Sequence, residues 1–186
     1  KIRNNKQNQG YIDLEIEENN IKLDEDGKPV EVYVKKRGIA ENIIEDFMVI
    51  VNEITSELLD EGYGCRQVYR VHGEPVEEKI ESLRAYIKEL GYSNDRLENL
   101  EARNIQIFLN SVKDKPEYKV IAHELLKCMK KAHYSNANIG HFALGAPSVC
   151  QVTSPIRRIG DLINHILIRD YIYEIGKGNL TPNRIS

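Results

Sequence analysis

From Ile39 to Leu58 the apolar residues recur with a helical period: Ile39, Ile43, Phe47, Ile50/Val51, Ile54 and Leu58. That spacing predicts one amphipathic helix of about six turns, with Gly62 and Gly64 to stop it. Most of the chain beyond Pro75 reads as helix too. Pro75 opens a helix that turns Val76, Ile80, Leu83, Ile87 and Leu90 inward and stops at Gly91. A further helix is predicted over Leu97 to Val112. Another is opened by Pro116, with Val120/Ile121, Leu125 and Met129 inward. A last one is predicted from Pro155 to near Ile175, where Gly176 and Gly178 supply the stop.

Strand signals are confined to the first part of the chain and to Tyr69-Arg70-Val71-His72, which reads as a short extended piece. Ile12, Leu14 and Ile16, then Ile21 and Leu23, alternate before the turn Asp24-Glu25-Asp26-Gly27-Lys28-Pro29, which leads into Val30, Val32 and Val34. These predict two or three antiparallel strands. The class is therefore α+β and mainly helical, with a few antiparallel strands near the N-terminus. Residues 1–10 are polar and are expected to be a disordered lead-in outside a parent protein.

The chain of 186 residues, 41% apolar, suffices for one compact domain. Its net charge of −3 argues against sequence-independent nucleic-acid binding if spread evenly. It is not spread evenly. Acidic residues gather in Glu15 to Asp26, Glu41 to Glu61 and Glu74 to Glu101, and basic ones in Lys127 to Lys131 and at Arg157-Arg158, so one basic wall is compatible with a polyanionic partner. Cys65, Cys128 and Cys150 lack CxxC spacing, which argues against a disulfide framework or a zinc site. No apolar run or cleavage site marks a signal peptide or membrane helix, so no membrane association and a cytoplasmic setting are expected.

The densest chemistry lies in Thr153-Ser154-Pro155-Ile156-Arg157-Arg158. Ser154 suits a helix cap and Pro155 a first helical position, so the free N–H groups of that turn, with two guanidinium groups beside them, outline a phosphate site. Arg157, Asp161 and His165 then fall on one face, and Ile156, Ile159, Ile163 and Ile166/Leu167 on the buried one. A capped helix with an Asp–Arg pair accounts for the same residues equally well.

Read outward, this stretch joins Gly140-His141-Phe142-Ala143-Leu144-Gly145 before it and Gly160-Asp161-Leu162-Ile163-Asn164-His165 after it. Gly10-Tyr11-Ile12-Asp13, Ala40 to Asn52, and Tyr69-Arg70-Val71-His72 with Pro75 add further blocks. In this order the blocks resemble the RNB family of processive 3'-to-5' exoribonucleases, over nearly the whole chain. The resemblance implies that residues 11–180 are the C-terminal half of an RNB catalytic domain and residues 181–186 the start of a linker to an OB-fold RNA-binding domain.

It further implies hydrolysis of single-stranded RNA to nucleoside 5'-monophosphates with Mg2+ or Mn2+. The family's metal-binding aspartates lie upstream of the Gly10 block, and Asp13, Asp24 and Asp26 lack their spacing, so no metal ligand is assigned in this chain and the chain alone is expected to be inactive. The faces carrying Ile12, Leu14, Ile39 and Phe47 are expected to contact the N-terminal half of the domain.

The same resemblance implies the site residues. Arg157 takes the catalytic place at the scissile phosphate, consistent with the bidentate, permanent charge of a guanidinium. Ser154 caps the phosphate helix, and Arg158 makes a neighbouring backbone contact or a salt bridge. Glu45 accepts from a ribose hydroxyl near the RNA 3' end, unless it belongs to a solvated charged face with Glu41 and Asp46, and Asn52 is a lesser candidate for the same role. His141, with Phe142, packs under a base or pins its loop. Tyr134 is a stacking candidate, and His165 either touches phosphate or partners Asp161. Lys127, Lys130 and Lys131 track a backbone or form a solvated face, and His72 reads as structural.

The chain departs from the family's usual pattern at Ile159, where tyrosine is common, at Val149 and Val152, where aromatics are, and at Ile166, where arginine is. A non-catalytic RNB-derived RNA-binding or protein-interaction module is the alternative.

Overall fold

A computed structural model describes residues 2–14, 18–35, 38–63 and 66–177. Expectations at Ile16, Gly64, Cys65, Gly178 and residues 181–186 lie outside the described residues. The elements in chain order are α1 (Ile2–Gln9), β1 (Glu18–Leu23), β2 (Pro29–Lys35), α2 (Ile39–Tyr63), β3 (Tyr69–Val71), α3 (Glu77–Glu89), α4 (Asp95–Glu98), α5 (Ala102–Val112), α6 (Tyr118–Cys128), β4 (His133–Ser135) and α7 (Ile159–Gly176), with a 3₁₀ turn at Phe142–Leu144. The class is α+β and mainly helical.

Helices α3 to α6 enclose the apolar core around Ile80, Leu83, Ile87, Ile105, Leu109, Ile121 and Leu125. The inward positions of α3 and α6 follow the predicted period, with Ile121 and not Val120 turned inward. The span Leu97 to Val112 is broken at Asn99–Glu101, where Asn99 turns extended and Arg84 caps α4 by donating to the Leu97 carbonyl at 2.9 and 2.6 Å. β1 and β2 form an antiparallel hairpin in the register Ile21↔Val32. Asp24 shapes its turn by accepting the N–H groups of Asp26 and Lys28 at 3.0 and 2.8 Å.

Three expectations are corrected. Residues 2–9 form helix α1 instead of a disordered lead-in. The helix is polar and borrows its stability from elsewhere: Arg3 pairs with Asp13, Glu45 and Asp46 at 2.9–3.3 Å, and Lys6 pairs with Glu53. Gly145 closes the same corner, since at φ 59° a Cβ there would lie 2.7 Å from the Gln9 carbonyl oxygen.

Second, Pro155–Arg157 is a turn and not the first turn of α7. Ser154 does not cap the helix; its carbonyl accepts the N–H groups of both Arg157 and Arg158, and extended Arg158 precedes Ile159. The cause lies in Asp161, fully buried, whose Oδ2 accepts the Ser154 N–H and an Arg158 Nη2–H at 2.8 Å each and folds the turn back across the helix start.

Third, α7 buries the opposite face from the one expected. Gly160, Asp161, Asn164 and Tyr171 are inside, while Ile156, Ile159, Ile163 and Ile166 are exposed. The helix is apolar nearly all round, so its period does not choose a face; the backbone groups waiting for Asp161 and Asn164 do. On α2, Ile39 and Phe47 are 80% and 54% exposed, whereas Ile12 is buried in this chain's own core and Leu14 packs against it.

Candidate functional site

A cleft of about 690 Å³ runs between α2, which contributes Glu41, Ile44, Glu45, Met48 and Asn52, and a wall formed by Arg70, Ala132, His141, Val149, Gln151, Thr153 and Arg158. The wall is built by buried polar side chains acting on backbone. Asn52 accepts the Val152 N–H at 3.0 Å. Asn164 accepts from Val68 N–H and donates to the carbonyls of Val68 and Gln151, at 3.0–3.1 Å. Those two asparagines join α2, β3 and α7 to the segment that carries the arginines.

Of the residues picked from sequence, Glu45, His141 and Arg158 line the cleft. Glu45 accepts from Arg3 at 3.0 Å and from the Tyr11 hydroxyl at 3.3 Å, which seats its carboxylate against α1. Burial, together with the Glu45 and Asp13 carboxylates, drives the Tyr11 hydroxyl far above the usual phenol range, so it stays a donor. Arg158 donates to Thr153 Oγ1 and pairs with Asp161, so its charge is balanced from within. Asn52 is spent on backbone and holds the wall in place.

His141 is a neutral ring. Burial, then the neighbouring His72 and Arg70, depress its pKa to about 4, and its Nδ1 accepts the Leu144 N–H at 3.3 Å. It stacks on His72 with centroids 5.1 Å apart, and Phe142 also stacks on His72, with centroids 6.4 Å apart. That arrangement pins the loop.

Arg157 and Ser154 lie together on the turn beside the cleft, with Arg157 Nη2 donating to Ser154 Oγ at a loose 3.5 Å. Arg157 is exposed and carries no ion pair among the described residues. The N–H groups of Arg157 and Arg158 are engaged by the Ser154 carbonyl, so any phosphate contact there rests on side chains more than on a bare helix start. His165 is tied through Nε2 to the Val152 carbonyl at 2.7 Å. The Tyr134 hydroxyl donates to Gln151 at 2.9 Å, its ring lies under the Arg70 guanidinium at 5.0 Å, and Gly160 backs onto the ring so closely that a Cβ would come within 3.0 Å. Lys127 pairs with Glu124, away from the cleft.

Sequence reasoning passes over Arg70, which stands inside the Tyr69–His72 block; a basic residue in a short strand among apolar neighbours is the signal that could have found it. Among the described residues no group of three or more His, Cys, Asp or Glu side chains is arranged to hold a metal ion. Where carboxylates do converge, at Asp13, Glu45 and Asp46, the Arg3 guanidinium stands between them. A divalent ion therefore does not fit these residues.

The RNB domain family model matches residues 1–174. Ribonuclease R of Thermotoga maritima is 38% identical over 174 residues, which cover 94% of this chain and 24% of that protein. Mycoplasma genitalium RNase R, solved in complex with ribose methylated single-stranded RNA, superposes with a TM-score of 0.87 at 32% identity over 95% of this chain and 28% of the other. The same protein in complex with double-stranded RNA gives 0.85 at 32% identity, covering 95% and 31%. The chain thus spans about a quarter of the length of the curated relatives it matches. With the Ala40, Tyr69, Gly140 and Thr153 blocks assembled around one cleft and the family model matched almost end to end, the chain belongs to the RNB domain family.

Proposed function

We propose that this chain forms the RNA-gripping wall of a hydrolytic 3'-to-5' processive exoribonuclease that releases nucleoside 5'-monophosphates. The observation that carries the reading is the cleft: a preorganised wall with Arg157, which has no ion pair among the described residues, on the adjoining turn, in a fold that superposes closely on an RNase R solved with single-stranded RNA. In this reading the Arg157 guanidinium stabilises charge at the scissile phosphate, and Arg158, fixed by Asp161 and Thr153, keeps the turn in shape. Ser154 orients Arg157 through its hydroxyl. Glu45, held by Arg3 and Tyr11, presents a carboxylate to a ribose hydroxyl, the group that separates RNA from DNA.

Mg2+ or Mn2+, supplying activation of the attacking water, would be held by acidic residues outside this sequence, and this chain alone would not cleave RNA. The exposed apolar residues Ile39, Phe47, Ile159 and Ile163 would dock on the rest of the RNB domain. No helix of the described residues is long and apolar enough to cross a membrane, and the proposed setting is the cytoplasm.

Arg157→Ala in the full-length protein tests the reading. Single-turnover cleavage of single-stranded RNA should slow by about 10²–10³-fold, the range for loss of one preorganised electrostatic contact, with a much smaller loss of affinity. Arg157→Lys should restore only part of the rate. If affinity collapses while the rate at saturating enzyme stays near wild type, Arg157 binds and does not catalyse.

A further inference from the structure

Two cations line the cleft, and they differ in kind. Arg158 is neutralised by Asp161. Arg70 is half-buried and has neither an ion pair nor a side-chain hydrogen bond among the described residues, although Arg3, Arg84 and Arg169 each have acidic partners. The carboxylates of the facing wall are engaged elsewhere: Glu45 by Arg3 and Tyr11, and Glu41 by the Gly38 N–H at 3.1 Å. Its N–H donors remain open to solvent at the cleft and are therefore available to an anion, which a planar guanidinium takes with charge-assisted bonds.

Its geometry is fixed by pairing. Arg70 on β3 and Tyr134 on β4 are direct cross-strand partners, which is why the guanidinium lies over the ring. The Arg70 backbone is held by its N–H on the Val149 carbonyl at 2.7 Å, and Tyr134 is held by Gln151 and by the close approach of Gly160. A guanidinium stacked this way keeps its N–H edge free and pre-oriented for bidentate contact with a phosphate. Its charge already reaches the two stacked histidines, helping to keep His72 and His141 neutral.

We infer that Arg70 is a second phosphate-binding residue of the cleft, taking a backbone phosphate of single-stranded RNA separate from the one at Arg157, with Tyr134 as its platform and not as a base-stacking surface. This assignment rests on the RNA-binding reading of the same cleft. It makes Arg70 a binding residue that contributes charge and register to the bound strand.

The test is equilibrium binding of a labelled single-stranded oligoribonucleotide to the full-length protein across a salt series, with chelator present to prevent cleavage. Arg70→Gln keeps a stem to pack on Tyr134 and removes the charge. Its affinity should fall on the order of tenfold, and the slope of log affinity against log salt should become shallower by about 0.7, the value of one phosphate contact on a single strand. Arg70→Lys should keep the wild-type slope and regain only part of the affinity, because a point charge lacks the fork. Should Arg70→Gln fail to fold, Arg70→Lys decides alone: undiminished affinity overturns the assignment. An Arg70→Gln affinity within twofold of wild type overturns it, and so does a weaker affinity with an unchanged slope, which would mark a structural role. Absence of RNA binding by the wild-type protein would sink the RNA reading itself, an outcome distinct from wild-type binding that Arg70 does not affect.

Discussion

Replacing Asn164 with alanine should detach the wall of the cleft. Its side chain is fully buried and makes three hydrogen bonds, to the Val68 N–H and to the carbonyls of Val68 and Gln151. A net contribution near 1 kcal/mol for each bond gives about 3 kcal/mol, and leaving three backbone groups buried without partners moves the cost upward. Alanine's better helix propensity returns only about 0.5 kcal/mol. For a domain of this size the loss should lower the melting midpoint by roughly 6–12 °C.

Hydrogen exchange locates the effect, since the Val68 amide, protected by Asn164 Oδ1, should exchange faster in the variant than amides in the α3–α6 core. Asn164→Asp adds a check on sign. Burial raises the new carboxyl's pKa above its unfolded value near 3.9, so the neutral acid is favoured in the fold and stability should fall as pH rises through that range. A loss under about 1 kcal/mol with Val68 still protected would refute the argument that Asn164 holds the wall.

His141 is held near pKa 4 by burial and by its neighbours, below the unfolded value near 6.5, so between these values the unfolded chain takes up a proton that the fold refuses. Stability should therefore fall as pH drops from about 6.5 toward 4 and then level off, and His141→Gln should flatten part of that slope in thermal melts at stepped pH. Gly62 stands so close to Tyr171 that a Cβ would collide with its ring; Gly62→Ala should destabilise the α2–α7 contact despite a helix-propensity gain of about 1 kcal/mol, and an unchanged or raised melting temperature would show that the ring moves aside at little cost.

Local chemistry in the sequence was enough to determine much of this molecule. The apolar period of α3 and α6 names Ile80, Leu83, Ile87, Ile121 and Leu125 as core because each helix has one apolar stripe and one polar face. Asp24 specifies the hairpin turn through its carboxylate, which accepts the Asp26 and Lys28 N–H groups, and Gly27 donates its N–H to the Asp24 carbonyl; the order of the blocks was enough to indicate the family. Tertiary structure alone decided the rest. The α7 helix has apolar residues nearly all round, so the face it buries was chosen by the Val68, Gln151 and Ser154 backbone groups that Asn164 and Asp161 satisfy. Helix α1 exists through carboxylates supplied by Asp13 and α2, which no local pattern in residues 2–9 reveals. Arg70 and Tyr134 are remote in sequence, and only the register of β3 on β4 sets one over the other. A period records which residues share a face; it does not record what partner waits for that face, and at this cleft the partners are hydrogen bonds and charges from distant segments.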